Sequence, residues 1–218
     1  MKLKFFILFI IAVLFSTQFI VAQDWSGTTY KYYQPAYGFV MLNNGDTVKG
    51  YIMHGDRVSN QKNCIFYDDV SNKRTAKTYK PADIKGYFVG DKMYHTIHFS
   101  GGLLSKPLSF VLLRKPGKIA QYVYYTRDDN LVFVMRKEGE SEAQFDERIS
   151  KDESVLLKEG QEPLQQASLV FGFAKKMSKL VEDYPDLANK IINKEKGYGL
   201  LNMLNIVDEY NLYSMGQK

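Results

Sequence analysis

Residues 37–53 read YGFVMLNNGDTVKGYIM, two strand-like runs on either side of Asn43-Asn44-Gly45-Asp46. Asn-Gly between two such runs is the strongest short signal of a β-hairpin, because both central residues of the tight turn must accept a positive φ. The stretch therefore predicts an antiparallel pair of strands, and the residues that follow show a similar β pattern.

The same alternation of strand-like runs and turn-forming residues continues to about residue 136. Short runs rich in β-branched and aromatic residues alternate with the turn formers Gly, Pro, Asn and Asp. Beyond the hairpin, strands are predicted over 63–67, 75–79, 84–89, 93–99, 108–113, 119–125 and 131–136. The runs 108–113 and 131–135 are nearly all apolar, which is typical of the most buried strands. This spacing predicts an antiparallel meander that curls into a barrel-like or sandwich body.

Residues 137–162 differ from the segments on either side. The stretch begins Lys137-Glu138-Gly139-Glu140 and contains few large apolar residues. A highly charged composition of this kind buries little apolar surface. It predicts a charged linker or loop between two structured parts.

After Pro163 the apolar residues recur with a helical period. They lie three or four positions apart, as in a helix that packs one face against a core. Pro185 suits a first helical position and begins a second run, and residues 200–210 carry a third. The sequence thus predicts an α+β chain with a β-rich domain over 23–136 and a three-helix C-terminal segment over 163–218. All three apolar stripes are expected to form core.

Residues 1–22 predict an exported protein. A short cationic start, Met1-Lys2-Leu3-Lys4, precedes eleven residues without a polar side chain at 5–15. These are features of a secretory signal peptide, and cleavage is expected after Ala22. The alternative is a membrane anchor, but the apolar core is shorter than the roughly 20 residues of a spanning helix. The residue directly after the cut is not a cysteine that could carry a lipid anchor. We therefore expect a soluble mature chain in the periplasm or outside the cell.

The net charge and the cysteine content limit the possible partners and the covalent cross-links of the protein. The formal net charge is +5 and falls to +3 when Lys2 and Lys4 leave with the signal peptide. The remaining basic residues are spread along the chain, whereas nucleic-acid binding needs a denser stripe, so no nucleic-acid partner is expected. Cys64 is the only cysteine, so no internal disulfide can form. Its apolar neighbours indicate a buried thiol.

Three motifs resemble those of a known group. Residues 44–52 read NGDTVKGYI, residues 79–87 read YKPADIKGY, and residues 207–211 read VDEYN. Together they resemble a group of uncharacterised exported Bacteroidota proteins that carry N-G-D-T-x-x-G-x-I and Y-x-P-x-D-I-x-G in this order. The resemblance implies no activity. In physical terms, Gly50 and Gly86 are predicted to mark bulges or a close backbone approach.

The sequence contains no recognisable catalytic set. There is no G-x-S-x-G elbow and no phosphate-binding glycine loop. His95 and His98 would point to opposite faces of one strand, which disfavours a metal site. Acid pairs such as Asp68-Asp69 lie in predicted turns, where carboxylates are usually solvated. No catalytic residue, cofactor or metal is therefore expected.

An aromatic cluster near the mature N-terminus is the strongest candidate for binding. It consists of Trp25, Tyr30, Tyr32, Tyr33 and Tyr37. Exposed aromatic rings can stack on sugars or anchor a protein partner. The alternative is that this segment lies along the body as an edge strand that hides the rings.

The function predicted from these features is binding or assembly in the cell envelope by a non-catalytic exported protein. The expected partner is an envelope protein or a glycan. The alternative is a hydrolase acting on an envelope polymer. That alternative requires a concave site where acids or a histidine converge.

Overall fold

The computed structural model describes residues 32–71, 76–98, 108–127 and 134–216. The predicted signal peptide, Trp25 and Tyr30 lie outside these residues. The fold described below is therefore that of the predicted β-rich domain from Tyr32 onward, together with the segments that follow it.

The described chain is an α+β fold that alternates short strands with a few helices. The strands are β1 Gln34–Leu42, β2 Thr47–His54, β3 Cys64–Tyr67, β4 Lys77–Tyr79, β5 Ile84–Val89, β6 Lys92–Ile97, β7 Ser109–Lys115, β8 Ile119–Arg127, β9 Ser150–Lys158 and β10 Leu164–Gln165. The helices are α1 Arg57–Lys62, α2 Glu142–Ile149, α3 Gln166–Leu169, α4 Phe173–Leu180, α5 Pro185–Ile192 and α6 Met203–Met215, with a short 3-10 turn at Leu200–Asn202.

All ten strands belong to one antiparallel sheet. Their order is β10-β9-β8-β7-β6-β5-β1-β2-β3-β4, so β10 and β4 are the two edges and do not pair with each other. The predicted α+β class and antiparallel sheet are confirmed, but the predicted meander is interrupted, because β5 pairs with β1 and not with β4. The predicted barrel-like closure is wrong, because the edge strands have only two and three residues. Strands this short cannot provide the staggered ladder that closes a barrel.

The hairpin predicted around Asn44-Gly45 is confirmed, with β1 and β2 paired from Gln34↔His54 to Met41↔Thr47. Its turn differs from the predicted one, since only Gly45 of the two central residues has a positive φ, at 96°. The amide of Leu42 donates to the carbonyl of Asp46 at 2.8 Å. The Asn44 side chain accepts from the Asp46 amide at 3.0 Å, which gives the loop a local turn that needs one left-handed residue.

Gly50 and Gly86 both mark a close backbone approach, as predicted. A Cβ on Gly50 would lie 2.6 Å from the carbonyl oxygen of Tyr67. A Cβ on Gly86 would overlap the carbonyl oxygen of Tyr94. The register between β1 and β5 also shifts beside Gly86, where Leu42 pairs with Ile84. Gly86 therefore marks a bulge as well as a contact that leaves no room for a side chain.

The prediction of a linker or loop over 137–162 is wrong. This stretch contains α2 and β9, and β9 pairs with β8 along its whole length, from Ile119↔Lys158 to Arg127↔Ser150. Helix α2 begins with a capping box in which Ser141 and Gln144 bond each other's backbone amides. The composition concealed the strand because its first half, Lys151 to Glu153, is charged and not buried, whereas residues 155–157 supply the apolar half.

The strand predicted over 131–136 is wrong where the structure describes it. Residues 134–136 form no strand, and the Met135 side chain is 85% exposed. Residues 131–133 lie outside the described part. The position beside β8 is taken by β9, so no ladder edge of β8 is left for residues 134–136.

The helical C-terminal segment is confirmed, although its first helix is divided. Gly172, with φ 78°, separates α3 from α4, and Phe171 is exposed instead of buried in the predicted stripe. Val170 and Ile192, which also belong to the predicted stripes, are exposed as well. Most of the other apolar positions form a core that also includes Ile119 and Leu156 of the sheet. Its helical members are Leu169, Met177, Leu180, Val181, Leu187, Ile191, Met203, Ile206, Val207 and Tyr210. The helices therefore pack on the β8–β9 end of the sheet.

The tail motif at 207–211 attaches α6 to that end of the sheet. The Asn211 side-chain oxygen accepts from the Ile119 amide at 2.9 Å, and its amide group donates to the Ile119 carbonyl at 2.9 Å. Asp208 accepts from the Gln121 side chain at 2.6 Å. Asn211 therefore pairs with the β8 backbone as a neighbouring strand would, which gives this motif a structural role.

Asp183 joins the helices to β9 by an ionic contact. The ammonium of Lys158 is nearly buried and donates to Asp183 at 2.7 Å and to the Leu180 carbonyl at 2.9 Å. Tyr210 and Lys118 donate to the other carboxylate oxygen at 2.7 and 2.8 Å. Burial alone would raise the pKa of Asp183, but the hydrogen bonds from these three donors outweigh it and hold the pKa well below its usual range.

Replacing Asp183 with Asn should destabilise the protein at neutral pH, because Lys158 loses its counter-charge in a nearly buried site. We expect a loss of about 2 kcal/mol in the free energy of unfolding, measured by urea denaturation at pH 7. The pKa of Asp183 is lowered in the folded state, so the unfolded chain takes up the proton first as the pH falls below about 4. The stabilisation is therefore present above that pH and is lost below it.

The neighbouring Glu182→Gln variant is the matched control, since this exposed side chain should change stability by less than about 0.5 kcal/mol. The difference between wild type and Asp183→Asn should narrow toward pH 3. A difference that stays constant over this pH range would contradict an ionised Asp183 as the source of the stabilisation.

Candidate functional site

A cavity of about 440 Å³ lies on one face of the sheet, between α1, α2 and strands β6 to β8. Its floor is a cross-strand row of Tyr94, Leu112 and Val123, which are register partners. Side chains two residues apart point to the same face of a strand. The residue two positions along each of these strands therefore extends the floor, as seen for Lys92, Arg114 and Tyr125.

Three cationic side chains line this cavity. The Arg57 guanidinium lies 3.8 Å from Asp146 and 3.7 Å from Glu147, which are ion-pair distances too long for hydrogen bonds. The Lys92 ammonium is 3.4 Å from Asp91, and its side chain is 14% exposed. Arg114 lies 3.2 Å from Asp152 at the surface.

Burial disfavours the positively charged forms of the ionisable groups in the cavity. It lowers the pKa of Lys92; the Asp91 carboxylate opposes this shift, and the Arg57 charge adds the smallest contribution to it. Burial and then the Lys92 charge lower the pKa of His54 to about 4, so its ring is neutral at pH 7. An anion entering the cavity would offset the cost of burying the Lys92 charge.

Tyrosine rings form the remaining walls. Tyr32 packs edge-on against His54 with ring centroids 5.1 Å apart. The Arg57 guanidinium lies 5.2 Å from the centroid of the Tyr125 ring. Tyr94 is buried in the floor and stacks on Tyr87, at 4.7 Å between centroids. The cavity therefore combines flat aromatic surfaces with cationic donors.

A single buried carboxylate, that of Asp146, holds the segments around the cavity together. One of its oxygens accepts from the Tyr32 hydroxyl at 3.0 Å and from the Arg57 amide at 2.9 Å. The other accepts from Arg127 at 3.0 Å and from Ser150 at 3.3 Å. Burial and then the Asp146 charge raise the pKa of Tyr32, which keeps the proton on its hydroxyl. Asp146 thereby joins α2 to the N-terminal segment, α1, β8 and β9.

The position of Arg57 follows from the start of α1. Asp56 is the N-cap, and its carboxylate accepts from the amides of Val58 and Ser59 at 3.0 and 2.9 Å. The same carboxylate is 2.9 Å from Arg127. Arg57 is the first residue of the helix, so the cap and the Asp146 contact together fix its backbone at the cavity wall.

Of the three predicted contact residues that the structure describes, one lies in the cavity. Tyr32 lines it, whereas Tyr33 and Tyr37 are 56% and 59% exposed and lie outside the lining. Trp25 and Tyr30 fall outside the described residues. The predicted alternative of an edge strand that hides the rings is wrong for Tyr37, because β1 lies between β5 and β2 in the sheet.

The three histidines have separate surroundings. His95 bonds the Tyr122 hydroxyl at 2.8 Å, and His98 is exposed just after β6. Within the described ranges, no group of three His, Cys, Asp or Glu side chains could hold a metal ion. Cys64 is buried in the core, and burial raises the pKa of its thiol, as expected for a structural cysteine.

Sequence reasoning missed the cavity because it considered the basic residues only as charges spread along the chain. A signal was present in the strand alternation. Lys92 and Tyr94 are two apart, as are Leu112 and Arg114, so each cation shares a strand face with a buried residue. A charged residue in phase with core positions indicates a charge that faces the interior or a cavity.

Comparison with known proteins finds no matching family model, no matching curated protein and no matching solved structure. Within the described parts of the chain, no helix has the length and apolar character needed to cross a membrane. The chemistry of the cavity is therefore the basis for assigning a function.

Replacing Asp146 with Asn should destabilise the protein by about 2 kcal/mol, because one of the two buried oxygens that accept hydrogen bonds becomes an amide group that can only donate. Urea denaturation at pH 7 would measure this change. Asp152→Asn is the matched control, since Asp152 also pairs with an arginine but is largely exposed, and it should cost under about 1 kcal/mol. Equal losses of stability in the two variants would show that the buried hydrogen bonds of Asp146 contribute no more than an exposed ion pair.

Proposed function

We propose that the protein is an exported, non-catalytic binding protein of the cell envelope whose cavity takes the anionic group of an acidic glycan. The observation that carries the proposal is the convergence of three cations and three tyrosine rings on one cavity. Its volume of about 440 Å³ falls within the range of small-ligand sites, roughly 300–1,000 Å³.

The charge pattern favours an anion. Arg57, Lys92 and Arg114 line the cavity, whereas Glu147 is the only acid among the described lining residues. The side chain of Glu147 is largely exposed at the rim, while Lys92 lies deeper. A carboxylate or sulfate group seated between the cations would accept charge-assisted bonds in a partly desolvated site, where such bonds are strong.

The tyrosine walls favour a sugar as the body of the ligand. Tyr32 and Tyr125 present aromatic surface together with hydroxyl groups, and aromatic rings pack against the apolar faces of sugars. The predicted signal peptide supports an envelope location, where acidic polymers are available. A glycan partner agrees with the expectation from the aromatic cluster, although Tyr32 is the cluster member that reaches the cavity.

The lining residues favour binding over catalysis. Among those described, none is a serine, threonine or cysteine, and Glu147 is the only carboxylate. Glycoside hydrolysis generally needs two carboxyl groups that face each other across the bond. A hydrolase is the second candidate, because His54 and Glu147 line the same cavity. The low pKa of His54, about 4, makes it a weak general base.

Isothermal titration calorimetry with digalacturonate tests the proposal, and its dimethyl ester serves as the uncharged probe of the same shape. We expect the acid to bind and the ester to bind at least tenfold more weakly, because the ester offers no charge to the cations. Raising the salt concentration should weaken binding of the acid. Equal binding of acid and ester, or binding of neither, would contradict the proposal.

Lys92→Gln should weaken digalacturonate binding by roughly tenfold or more, as expected when a charged hydrogen bond of about 1.5–3 kcal/mol is lost. Lys49→Gln is the matched control, because Lys49 is an exposed lysine on β2 outside the cavity. Products released from the disaccharide during the titration, detected by chromatography, would instead support the hydrolase.

A further inference from the structure

The helical C-terminal segment exposes large apolar side chains at one end. Leu201 is 99% exposed and Phe171 84%, and Ile192 is also exposed. Single exposed apolar residues are common on protein surfaces, but these three border one groove. Gly172, Ile192 and Leu201 line it, and Phe171 directly precedes Gly172.

The backbone explains why these residues lie together. Helix α4 begins after Gly172, and α5 ends at Ile192, where Lys194 with φ 55° and Gly197 with φ 93° turn the chain. The groove is lined by the start of α4 and by the segment after α5, so both belong to the same end of this helix pair. Phe171 and Leu201 therefore project from two neighbouring loops, outside the core beneath them.

Lysines surround the apolar tip. Lys175 and Lys194 line the groove together with a single acid, Glu195. Lys176 and Lys196 are exposed beside them in the chain. Four lysines and one glutamate thus flank the exposed Phe171 and Leu201. This combination of protruding apolar groups and nearby cations matches a surface that is apolar inside and anionic at its boundary.

We propose that this tip, residues 170–176 and 192–201, is a contact site for an anionic lipid surface. Phe171 and Leu201 enter the boundary between headgroups and acyl chains, and the lysines remain at the level of the headgroup phosphates. A folded protein partner is less favoured, because side chains exposed to 84% and 99% protrude from this surface and would need pockets to receive them. The contact is peripheral and independent of the cavity on the sheet.

Vesicle co-sedimentation tests this site, using the chain without residues 1–22, the form predicted for the exported protein. Vesicles of equal parts phosphatidylcholine and phosphatidylglycerol should bind the protein, and vesicles of phosphatidylcholine alone should bind it far less. Phe171→Ser and Leu201→Ser should each lower the partition coefficient roughly tenfold, because the inserted apolar area is lost. Lys175→Gln with Lys194→Gln should lower it roughly fivefold per lysine.

Leu212→Ser is the matched control, since Leu212 is also exposed but lies on α6, about 14 Å along the helix from its first residue, Met203. It should leave binding unchanged, and circular dichroism should show that all variants fold. Failure to bind anionic vesicles, or equal loss in the Leu212 variant, would overturn the proposal. A dimer in light scattering that Phe171→Ser dissolves would assign the tip to a second copy of the chain and would also overturn it.

Discussion

The buried carboxylate of Asp146 is the constraint on which the cavity depends. A carboxylate that is 2% exposed is stable only when hydrogen bonds and a counter-charge replace the water that it has lost. Tyr32, Arg57 and Arg127 supply these contacts from three segments that are distant in sequence. All three contacts must form together for Asp146 to be buried. Burial of this one carboxylate therefore fixes the positions of the segments around the cavity.

Strand β9 connects the Asp146 contacts at the cavity with the Asp183 contacts at the helical segment. Its first residue, Ser150, donates to Asp146, and its last, Lys158, donates to Asp183 beneath the helices. The buried charges of Asp146 and Lys158 thus lie at opposite ends of one strand that is fully paired with β8. The β8–β9 ladder therefore supports both the cavity and the helical segment.

Local patterns in the sequence were sufficient for much of the fold. The hairpin around Gly45 and the strand at 84–89 were predictable, because a period of two and the turn formers act over a few residues. Strand β9 was missed, because its charged half at Lys151 to Glu153 resembles a loop until its pairing with β8 is known. Burial next to a partner strand is a property of the fold and has no local signature.

The candidate site was predicted only through Tyr32. The contact that places this residue joins it to Asp146, 114 positions away, and no periodicity within either segment indicates that they meet. The strand alternation placed Lys92 and Arg114 on the same strand faces as buried residues, but it did not indicate that they meet Arg57. Their convergence depends on the order of strands in the sheet and on α1 packing over β7 and β8.

The most direct test of the central claim, that the cavity binds an anionic sugar, is a ¹H–¹⁵N NMR titration of the labelled protein with digalacturonate. The expected result is a set of chemical-shift changes confined to residues around the cavity, among them Tyr32, Lys92 and Tyr125, that saturate with the acid. Changes centred instead on Tyr33 and Tyr37, or no saturable change at all, would contradict the assignment of the cavity as the binding site.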